Sequence, residues 1–520
     1  MVTTSTSPAM TPSSRCGLGR ARRLGKNPMG FWMVAFLGAL ALSAGALSCG
    51  VDPPDLPVAA AAPASPIPDQ TESRPSTSTP DVGPPAKPGV GARGLGDPYY
   101  PAAGNGGYDV EDYDLTIGYD PGTNFIDGRA AITMVTTMAL REFSLDFGTL
   151  DVLSLTIDGN PAVFEQVGQE LVIRPSVPLE HNERVVVIVD YSGTPIAEPG
   201  TTPYDGGWTQ TAEGSYVASE PTGAPTWFPV NDHPSDKATY TFRVTVPDGL
   251  EAVANGVLIE SISNEDDGTT QWVWRADDEM ASYLAMVATG DFVNNQYRSA
   301  SGIPIEDWLS VALESDARLT FEKSASMIDE FEDMFGPYPF DQYGHVVLGV
   351  PLGFALETQT RSLFGSDLAS GPIAETIVAH ELAHQWFGNA VSTDEWDDIW
   401  LNEGWATYAE DLWQERSRGI DPDLRYRGGL IADSPPGDPG VEDMFGGGVY
   451  QRGAMTLHAL RLTVGDDQFF EIARQWIVRF GGGTASTADF VALSEEISGE
   501  ELDTFFNAWL FQLELPELPE

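Results

Sequence analysis

Two histidines placed one helical turn apart constrain the fold of this 520-residue chain more than any other feature. In a helix, residues four positions apart lie one above the other, so the imidazoles of His380 and His384 can bind one metal ion. Glu381, between them, then faces the same cleft. The chain has only six histidines, which makes this spacing informative. The alternative is a pair of core histidines that make only hydrogen bonds.

The residues around this pair favour a helix. Pro372 is suited to a helix start, Glu375 puts negative charge in the first turn, and Gly388-Asn389 marks an end. Apolar contacts would come from Ile377, Val378, Leu382 and Trp386. We therefore predict a helix that begins near Pro372 and ends near Gly388.

A third ligand is needed, because a catalytic zinc site uses three protein ligands and leaves one position for water. Glu403 in the sequence WLNEGWATY is the best candidate, and this segment is typical of a second helix packed on the first. Histidines that bind metal usually donate their other N–H to a carboxylate or carbonyl. Asp398 is a candidate for that partner, although a helix-capping role fits it equally well.

These residues resemble a known family. The pattern His380-Glu381-x-x-His384, followed by Glu403 inside LNEGWAT, is similar to the zinc site of the aminopeptidase N family, the gluzincin group that also contains leukotriene hydrolase. The resemblance implies one Zn²⁺ ion as cofactor. In such a site a carboxylate takes a proton from water and delivers it to the leaving amine, and Glu381 is placed for that role.

A second segment resembles a family motif that stabilises an oxyanion. Residues 449–454, VYQRGA, are similar to the family's Tyr-Glu-Lys-Gly motif, whose tyrosine hydroxyl donates to the developing charge. The resemblance makes Tyr450 the candidate donor. Gln451 and Arg452 depart from the motif, and Arg452 keeps the positive charge. Without the resemblance, Tyr450 would be interpreted as a packing residue.

Two further segments resemble parts of the family's site for a free amine. Residues 353–358, GFALET, are similar to Gly-x-Met-Glu-Asn, so Glu357 would bind the α-ammonium and Ala355 would contact the substrate backbone. The segment from Glu220 to WFPVNDHP resembles the stretch that supplies a second carboxylate. Taken alone, Glu220 and Glu357 would be interpreted as surface groups.

The hydrophobic periodicity predicts an α+β fold in two parts. Alternating apolar residues from Tyr108 onward indicate an antiparallel β domain over residues 98–295. After about residue 300 the pattern becomes helical, which gives a second domain over residues 296–520. By resemblance, the first is the family's saddle-shaped β domain and the second is its thermolysin-like, mainly helical zinc peptidase domain.

Amino-acid composition limits the kinds of molecule that this chain is suited to bind. The chain is 42% hydrophobic and 10% aromatic, as globular proteins are, and its net charge is −50 with a pI near 4.1. Such an acidic chain is unsuited to nucleic acid. The resemblance implies peptides with a free N-terminus as substrates. The oligomeric state stays open.

The N-terminus has the layout of an export signal over residues 1–48. A basic region containing Arg22, Arg23 and Lys26 precedes an apolar run over residues 31–47. A permanent membrane helix is the alternative, although the run is short for a stable span. Cys49 follows Ala46-Leu47-Ser48, which resembles a bacterial lipobox, so we expect either a lipid anchor at Cys49 or ordinary cleavage and secretion.

Residues 49–97 are rich in Pro, Ala, Ser and Thr and predict an extended linker. The expected function is therefore a zinc aminopeptidase that acts on peptides outside the cytoplasm. Two alternatives stay open. One is an endopeptidase or epoxide hydrolase that uses the same metal, and the other is a cell-surface binding module without catalysis.

Overall fold

The protein is described here by a computed structural model that covers residues 89–197, 206–313, 317–428 and 434–520. The predicted signal peptide, Cys49 and the linker up to residue 88 lie outside the described residues. Residues 89–97, the last part of the predicted linker, bond to the β domain, for example through the Gly91 N–H and the Glu142 carbonyl (2.9 Å). Within the described ranges, no helix has both the length and the apolar composition to cross a bilayer.

The N-terminal half is built from β-strands, as the alternating pattern predicts. In the first strand Tyr113, Leu115 and Ile117 are buried while the residues between them are partly exposed. The strands of this half are β1 (Tyr108–Asp120), β2 (Phe125–Thr136), β3 (Phe143–Asp146), β4 (Asp151–Ile157), β5 (Asn160–Pro161), β6 (Val163–Val167), β7 (Glu170–Arg174), β8 (Arg184–Gly193), β9 (Gly207–Gln210), β10 (Ser215–Ala218), β11 (Ala238–Pro247), β12 (Glu251–Ala254), β13 (Val257–Asn264), β14 (Thr269–Met280) and β15 (Val287–Gly290).

These strands form three sheets. The largest has eight strands in the order β13-β14-β11-β1-β2-β8-β4-β5, the second is β12-β15-β10-β9, and the third is β3-β7-β6. The predicted antiparallel domain has one exception among its paired strands, because β1 and β11 pair in parallel. The many residues between them in the chain allow the long connection that a parallel pair requires.

The C-terminal half begins with strands and continues with helices. Its strands are β16 (Phe292–Arg298), β17 (Pro304–Ser310), β18 (His345–Val347), β19 (Ala355–Leu356), β20 (Ser362–Phe364), β21 (Val391–Thr393) and β22 (Gly483–Ala485). Its α-helices are α1 (Ala317–Phe321), α2 (Ser324–Phe335), α3 (Ala374–Ala383), α4 (Trp400–Arg418), α5 (Asp423–Tyr426), α6 (Gly453–Val464), α7 (Asp466–Phe480), α8 (Thr487–Ser498) and α9 (Asp503–Phe506). The fold class is α+β, as predicted.

The helical pattern begins later than predicted. Strands β16 and β17 start a five-stranded sheet of order β16-β17-β18-β20-β19, so α-helix appears in the described chain only from residue 317. Strand β17 is buried along almost its whole length. Its sequence PIEDWLS has no alternation, and its apolar residues Ile305, Trp308 and Leu309 have the i, i+3, i+4 spacing of a helix, so periodicity does not identify it as a strand.

An aromatic core joins the helices around the predicted metal site. The Trp405 ring of α4 stacks on Phe387 at 4.2 Å between centroids and lies 5.3 Å from Phe469 of α7. Trp405 is fully buried. These contacts hold α4 and the segment after α3 in a fixed relation.

Helices α4 and α6 are in close backbone contact at two glycines. A β-carbon added at Gly453 would lie 3.0 Å from the Cα of Gly404, and one added at Gly404 would lie 3.1 Å from the Cα of Gly453. Gly404 follows Glu403 directly, and Gly453 ends the segment that contains Tyr450. This backbone contact therefore sets the distance between two predicted site residues.

We predict that Gly453→Ala destabilises the protein by about 1–3 kcal/mol, because the added methyl group must push two backbones apart. Thermal or denaturant unfolding measures this change. Gly447→Ala is the matched control, since a β-carbon at Gly447 would meet nothing within 4 Å. Equal stability of the two variants would contradict the close contact.

Candidate metal centre

Helix α3 presents both predicted histidines. His380 lies in its last turn, and His384 follows at the C-cap, with its N–H donating to the carbonyl of His380 at 3.3 Å. The helix ends earlier than the predicted end near Gly388-Asn389. The chain continues in tight turns, and Gly388 at φ 119° reverses its direction. The two imidazole centroids stay 4.8 Å apart, on one side of the helix.

Helix α4 brings Glu403 to these histidines. The Oε2 of Glu403 lies 3.2 Å from Nε2 of His380 and 3.5 Å from Nε2 of His384. All three side chains are buried. The structure thus brings the three predicted ligands together, with one donor atom of each within 4.8 Å of the others.

This donor set fits zinc. Zinc–ligand bonds of about 2.0–2.1 Å in a tetrahedron place neighbouring donor atoms about 3.3 Å apart, close to both observed separations. The other ring nitrogens are occupied: Nδ1 of His380 donates to Oε1 of Glu410 (2.9 Å), and Nδ1 of His384 donates to the Phe387 carbonyl (3.0 Å). These bonds leave each Nε2 free to bind a metal.

Glu410, and not Asp398, is the carboxylate partner of a ligand. Asp398 instead accepts hydrogen bonds from the N–H (3.1 Å) and the hydroxyl of Thr487, the first residue of α8. It does not cap α4, which begins without a side-chain cap. Sequence reasoning missed Glu410. Its spacing from Glu403, two helical turns along the same face, was a usable signal.

The electrostatics of the site favour a bound cation. Burial raises the pKa of Glu403, but His384 and His380 lower it to about 2. Burial lowers the pKa of His380, yet its bonds to Glu403 and Glu410 raise it well above its ordinary value. Ligand imidazoles must be neutral, so protons and a metal ion compete for this site.

Glu381 is buried beside the ligands without being one of the three. Burial raises its pKa to about 8, and the nearby carboxylates of Glu357 and Glu403 add to the rise against the two histidines. One oxygen of Glu381 lies within 4.8 Å of donor atoms of Glu357 and His384. A divalent cation at the three ligands would add positive charge and so lower the pKa of Glu381, which favours its ionised form.

Tyr450 packs against His380. Its ring stacks on the His380 ring at 5.9 Å with an interplanar angle of 17°. Burial raises the pKa of Tyr450 well above its ordinary value, and the site carboxylates raise it further, so the phenol stays protonated as a hydrogen-bond donor. It belongs to a π-helical turn over Gly448–Arg452, a conformation frequent at functional sites.

Gln451 and Arg452, the two residues that depart from the family motif beside Tyr450, both form hydrogen bonds. The Gln451 side-chain oxygen accepts a hydrogen bond from Arg425 (2.6 Å), which also pairs with Asp411 (2.7 Å). The buried Arg452 guanidinium donates to carbonyls at the end of the last helical segment, including those of Trp509 (2.8 Å) and Ala508 (3.1 Å). Positive charge at a helix C-terminus is favourable. Both contacts fix the backbone around Tyr450.

Two more predicted carboxylates reach the metal ligands. Oxygens of Glu220, from the N-terminal half, and of Glu357 lie within 4.8 Å of each other and of an oxygen of Glu403. Glu220 and Glu357 are 4% and 3% exposed, so neither is the surface group that composition alone suggests. Burial and neighbouring charges raise the pKa of Glu220 well above its ordinary value. The Oε1 of Glu357 receives no hydrogen bond from the described residues.

The backbone around Glu357 is held by residues that sequence reasoning missed. The Glu357 carbonyl accepts hydrogen bonds from the side-chain amides of Asn389 (2.6 Å) and Gln385 (3.1 Å), both just after His384. Ala355 lies two residues earlier in β19, at the edge of the five-stranded sheet, and is half-buried. The histidine segment and the Glu357 segment are therefore fixed to each other.

Comparison with known proteins agrees with this geometry. Residues 319–509 match the "Peptidase family M1 domain" and residues 110–284 match the "Peptidase M1 N-terminal domain". The chain is 28% identical to glutamyl aminopeptidase from Sus scrofa over 58% of its own length, and 27% identical to aminopeptidase N from Streptomyces lividans over 54%. It spans only 34% and 36% of the length of these relatives.

One solved structure matches this chain over a larger part of both proteins. The M1 zinc metallopeptidase from Deinococcus radiodurans is 32% identical, with a TM-score of 0.76, and the match covers 82% of this chain and 99% of that one. A mutant of it, solved with a Tyr-Ser-Ala substrate, matches equally well at 31% identity and a TM-score of 0.76. The two family-domain matches and the similarity to this solved structure agree with the residues brought together at the site. The chain belongs to peptidase family M1, the aminopeptidase N family.

Proposed function

We propose that this protein is a zinc-dependent aminopeptidase that removes N-terminal residues from peptides and uses one zinc ion per chain. The observation that carries the proposal is the position of Glu220 and Glu357, two buried carboxylates beside the three metal ligands. The family and the names of its relatives, which include glutamyl aminopeptidase and aminopeptidase N, support it.

Glu220 and Glu357 are suited to a substrate's α-ammonium group. A cation placed between them replaces lost hydration with charge-assisted hydrogen bonds. The buried Oε1 of Glu357, which receives no hydrogen bond from the described part of the chain, is an acceptor for such a group. An ammonium held there puts the first peptide bond of the substrate next to the ligands. The free edge of β19 at Ala355 can pair with the substrate backbone.

The other site residues each have a separate role in the proposed reaction. Zinc held by His380, His384 and Glu403 would polarise the scissile carbonyl and lower the pKa of a water molecule. Glu381 accepts the proton of the attacking water and returns it to the leaving amine. Tyr450, protonated beside His380, donates a hydrogen bond to the carbonyl oxygen as negative charge develops there. Glu410 holds the His380 ring in the orientation that directs Nε2 at the metal.

Export belongs to the same proposal. The basic region and the apolar run over residues 31–47 support a signal peptide, and Cys49 after Ala46-Leu47-Ser48 supports a lipid anchor. The protein would then act on peptides outside the cytoplasm, either anchored at the membrane or secreted.

We predict that the purified protein cleaves an aminoacyl amide and that N-acetylation of the same substrate abolishes cleavage, because an acetylated amine cannot pair with Glu220 and Glu357. Glu381→Gln should reduce kcat about 10²–10⁴-fold, because it removes the general base. Steady-state kinetics with a chromogenic aminoacyl amide and its acetylated form measure both effects.

The zinc content of each variant is the control, because it shows whether a loss of activity comes from loss of the metal. Glu381→Gln and Tyr450→Phe should both keep bound zinc, while Tyr450→Phe should lower kcat by about 10²–10³-fold with little change in KM. Cleavage of free and acetylated substrates at equal rates would indicate an endopeptidase and contradict the proposal. Hydrolysis of an epoxide without hydrolysis of aminoacyl amides would contradict it as well.

We also predict that zinc stabilises the protein more as pH rises from about 5 to 8. Without metal, the raised pKa values of Glu381 and His380 mean that the folded state binds more protons than the unfolded state, so stability falls as pH rises through this range. Bound zinc replaces those protons. Thermal unfolding with zinc and with a chelator measures the difference. A difference that shrinks with rising pH would contradict this account.

The export proposal predicts that the mature protein begins after the signal. Mass spectrometry of the protein from its native host should find either a lipidated Cys49 as the first residue or an unmodified N-terminus near residues 44–49. Cys49→Ser should release an anchored protein from the membrane fraction. A chain that keeps residues 1–40 and stays in the cytoplasm would contradict export.

A further inference from the structure

A short segment before β1 touches both parts of the chain that lead into the metal centre. We call residues 89–106 the N-terminal strap. It folds back on itself, because the Gly94 N–H bonds to the Gly104 carbonyl (2.9 Å) and the Gly106 N–H bonds to the Ala92 carbonyl (3.0 Å). With the bond between Gly91 and Glu142, these contacts fix the base of the strap on the β domain.

At the tip of the strap, Asp97 makes a contact across 299 positions of the chain. Its Oδ1 accepts hydrogen bonds from the N–H groups of Tyr99 and Tyr100, and its Oδ2 accepts one from the N–H of Trp396, all at 2.7 Å. The side chain of Asp97 is completely buried, with Nε2 of His233 at 3.6 Å. Although burial raises the pKa of Asp97, His233 and the three N–H groups lower it below its ordinary value.

The contact with Trp396 lies at the entrance to α4. Residues 396–398 form a 3₁₀ turn whose N-cap residue, Glu395, makes no side-chain cap of its own. Helix α4 begins at Trp400, with only Ile399 between it and the turn, and Glu403 lies in its first turn. Asp97 therefore supplies from the strap the acceptor and the negative charge that the start of a helix requires. The Trp396 ring also packs against Tyr100 (6.3 Å) and Tyr283 (5.2 Å).

The same strap reaches the loop before Tyr450. The Tyr99 hydroxyl donates to Oδ1 of Asp438 (3.0 Å) and accepts from the N–H of Gly440 (2.8 Å). The Tyr100 hydroxyl lies 3.3 Å from Sδ of Met444. This loop runs into the π-helical turn of Tyr450. One segment thus holds the approaches to both Glu403 and Tyr450.

We propose that the N-terminal strap is a positioning element of the metal centre: Asp97 fixes the start of α4 and through it Glu403, and Tyr99 fixes the loop that leads to Tyr450. Neither residue touches a ligand, so both act through the segments they hold. The zinc-binding part of this inference is independent of the proposed peptidase activity, whereas its effect on kcat rests on that proposed function.

The test is zinc affinity of the full chain, with zinc ion alone as the probe in competition with a chelator. Asp97→Ala should weaken zinc binding about three- to tenfold, less than the 10- to 100-fold typical of a direct partner of a ligand. The matched control is Asp329→Ala, because Asp329 also accepts two backbone N–H groups, from Ala300 (3.1 Å) and Ser301 (2.9 Å) in the hairpin between β16 and β17. This control should bind zinc like the unmodified protein.

Tyr99→Phe separates the second contact from the first. It should leave zinc affinity unchanged, increase hydrogen exchange over residues 438–452, and lower kcat on an aminoacyl amide several-fold with little change in KM. If Asp97→Ala does not fold, Asp97→Asn, which keeps one acceptor, takes its place in the zinc measurement. All measurements are made at a temperature at which circular dichroism shows the variants folded.

The outcomes are distinct. Zinc affinities of the Asp97 and Asp329 variants that agree within twofold, together with unchanged exchange over residues 438–452 in Tyr99→Phe, would overturn the proposal and leave the strap a structural element only. If the unmodified protein cleaves no aminoacyl amide, the proposed function fails, while the zinc and exchange measurements still decide the role of the strap.

Discussion

The structure depends on the burial of four carboxylates around one point. Glu220, Glu357, Glu381 and Glu403 are each no more than 5% exposed. The last three lie close to one or both histidines, and Glu220 lies close to Glu357 and Glu403. Removing such groups from water costs several kcal/mol each unless opposite charge or protons compensate. In the proposed function, zinc bound to His380, His384 and Glu403 would supply two positive charges. The remaining carboxylates would then serve as a base and bind a substrate cation, so one electrostatic constraint would account for both metal binding and amine recognition.

The fold meets this constraint by joining segments that are far apart in sequence. Glu220 comes from the β-rich half, Glu357 from the loop between β19 and β20 of the five-stranded sheet, and the predicted ligands from α3, its C-cap and α4. Contacts at short range hold these segments in place. Gly404 and Gly453 let the helix of Glu403 and the segment of Tyr450 touch backbone to backbone. Gln385 and Asn389 tie the Glu357 loop to the end of the histidine segment.

Much of the site could be predicted from the sequence because its residues lie in short local patterns. His380, Glu381 and His384 follow helical spacing, and Glu403, Glu357, Glu220 and Tyr450 lie in segments that resemble family motifs. The alternation in β1 likewise predicted which residues are buried. What escaped prediction depends on tertiary contacts. Asp97 meets Trp396 across 299 positions, and the parallel pair β1–β11 leaves no local signature. Glu410 is the exception, because its helical spacing from Glu403 was a local signal that could have identified it.

The most direct test of this account is the position of the metal itself. A crystal of the full-length or mature protein, measured at the zinc absorption edge, gives an anomalous difference map that locates zinc independently of any assumed coordination. The account predicts one peak per chain at about 2.0–2.2 Å from Nε2 of His380, Nε2 of His384 and a carboxylate oxygen of Glu403. A peak elsewhere, or one that lies beyond bonding distance of either imidazole, would contradict it.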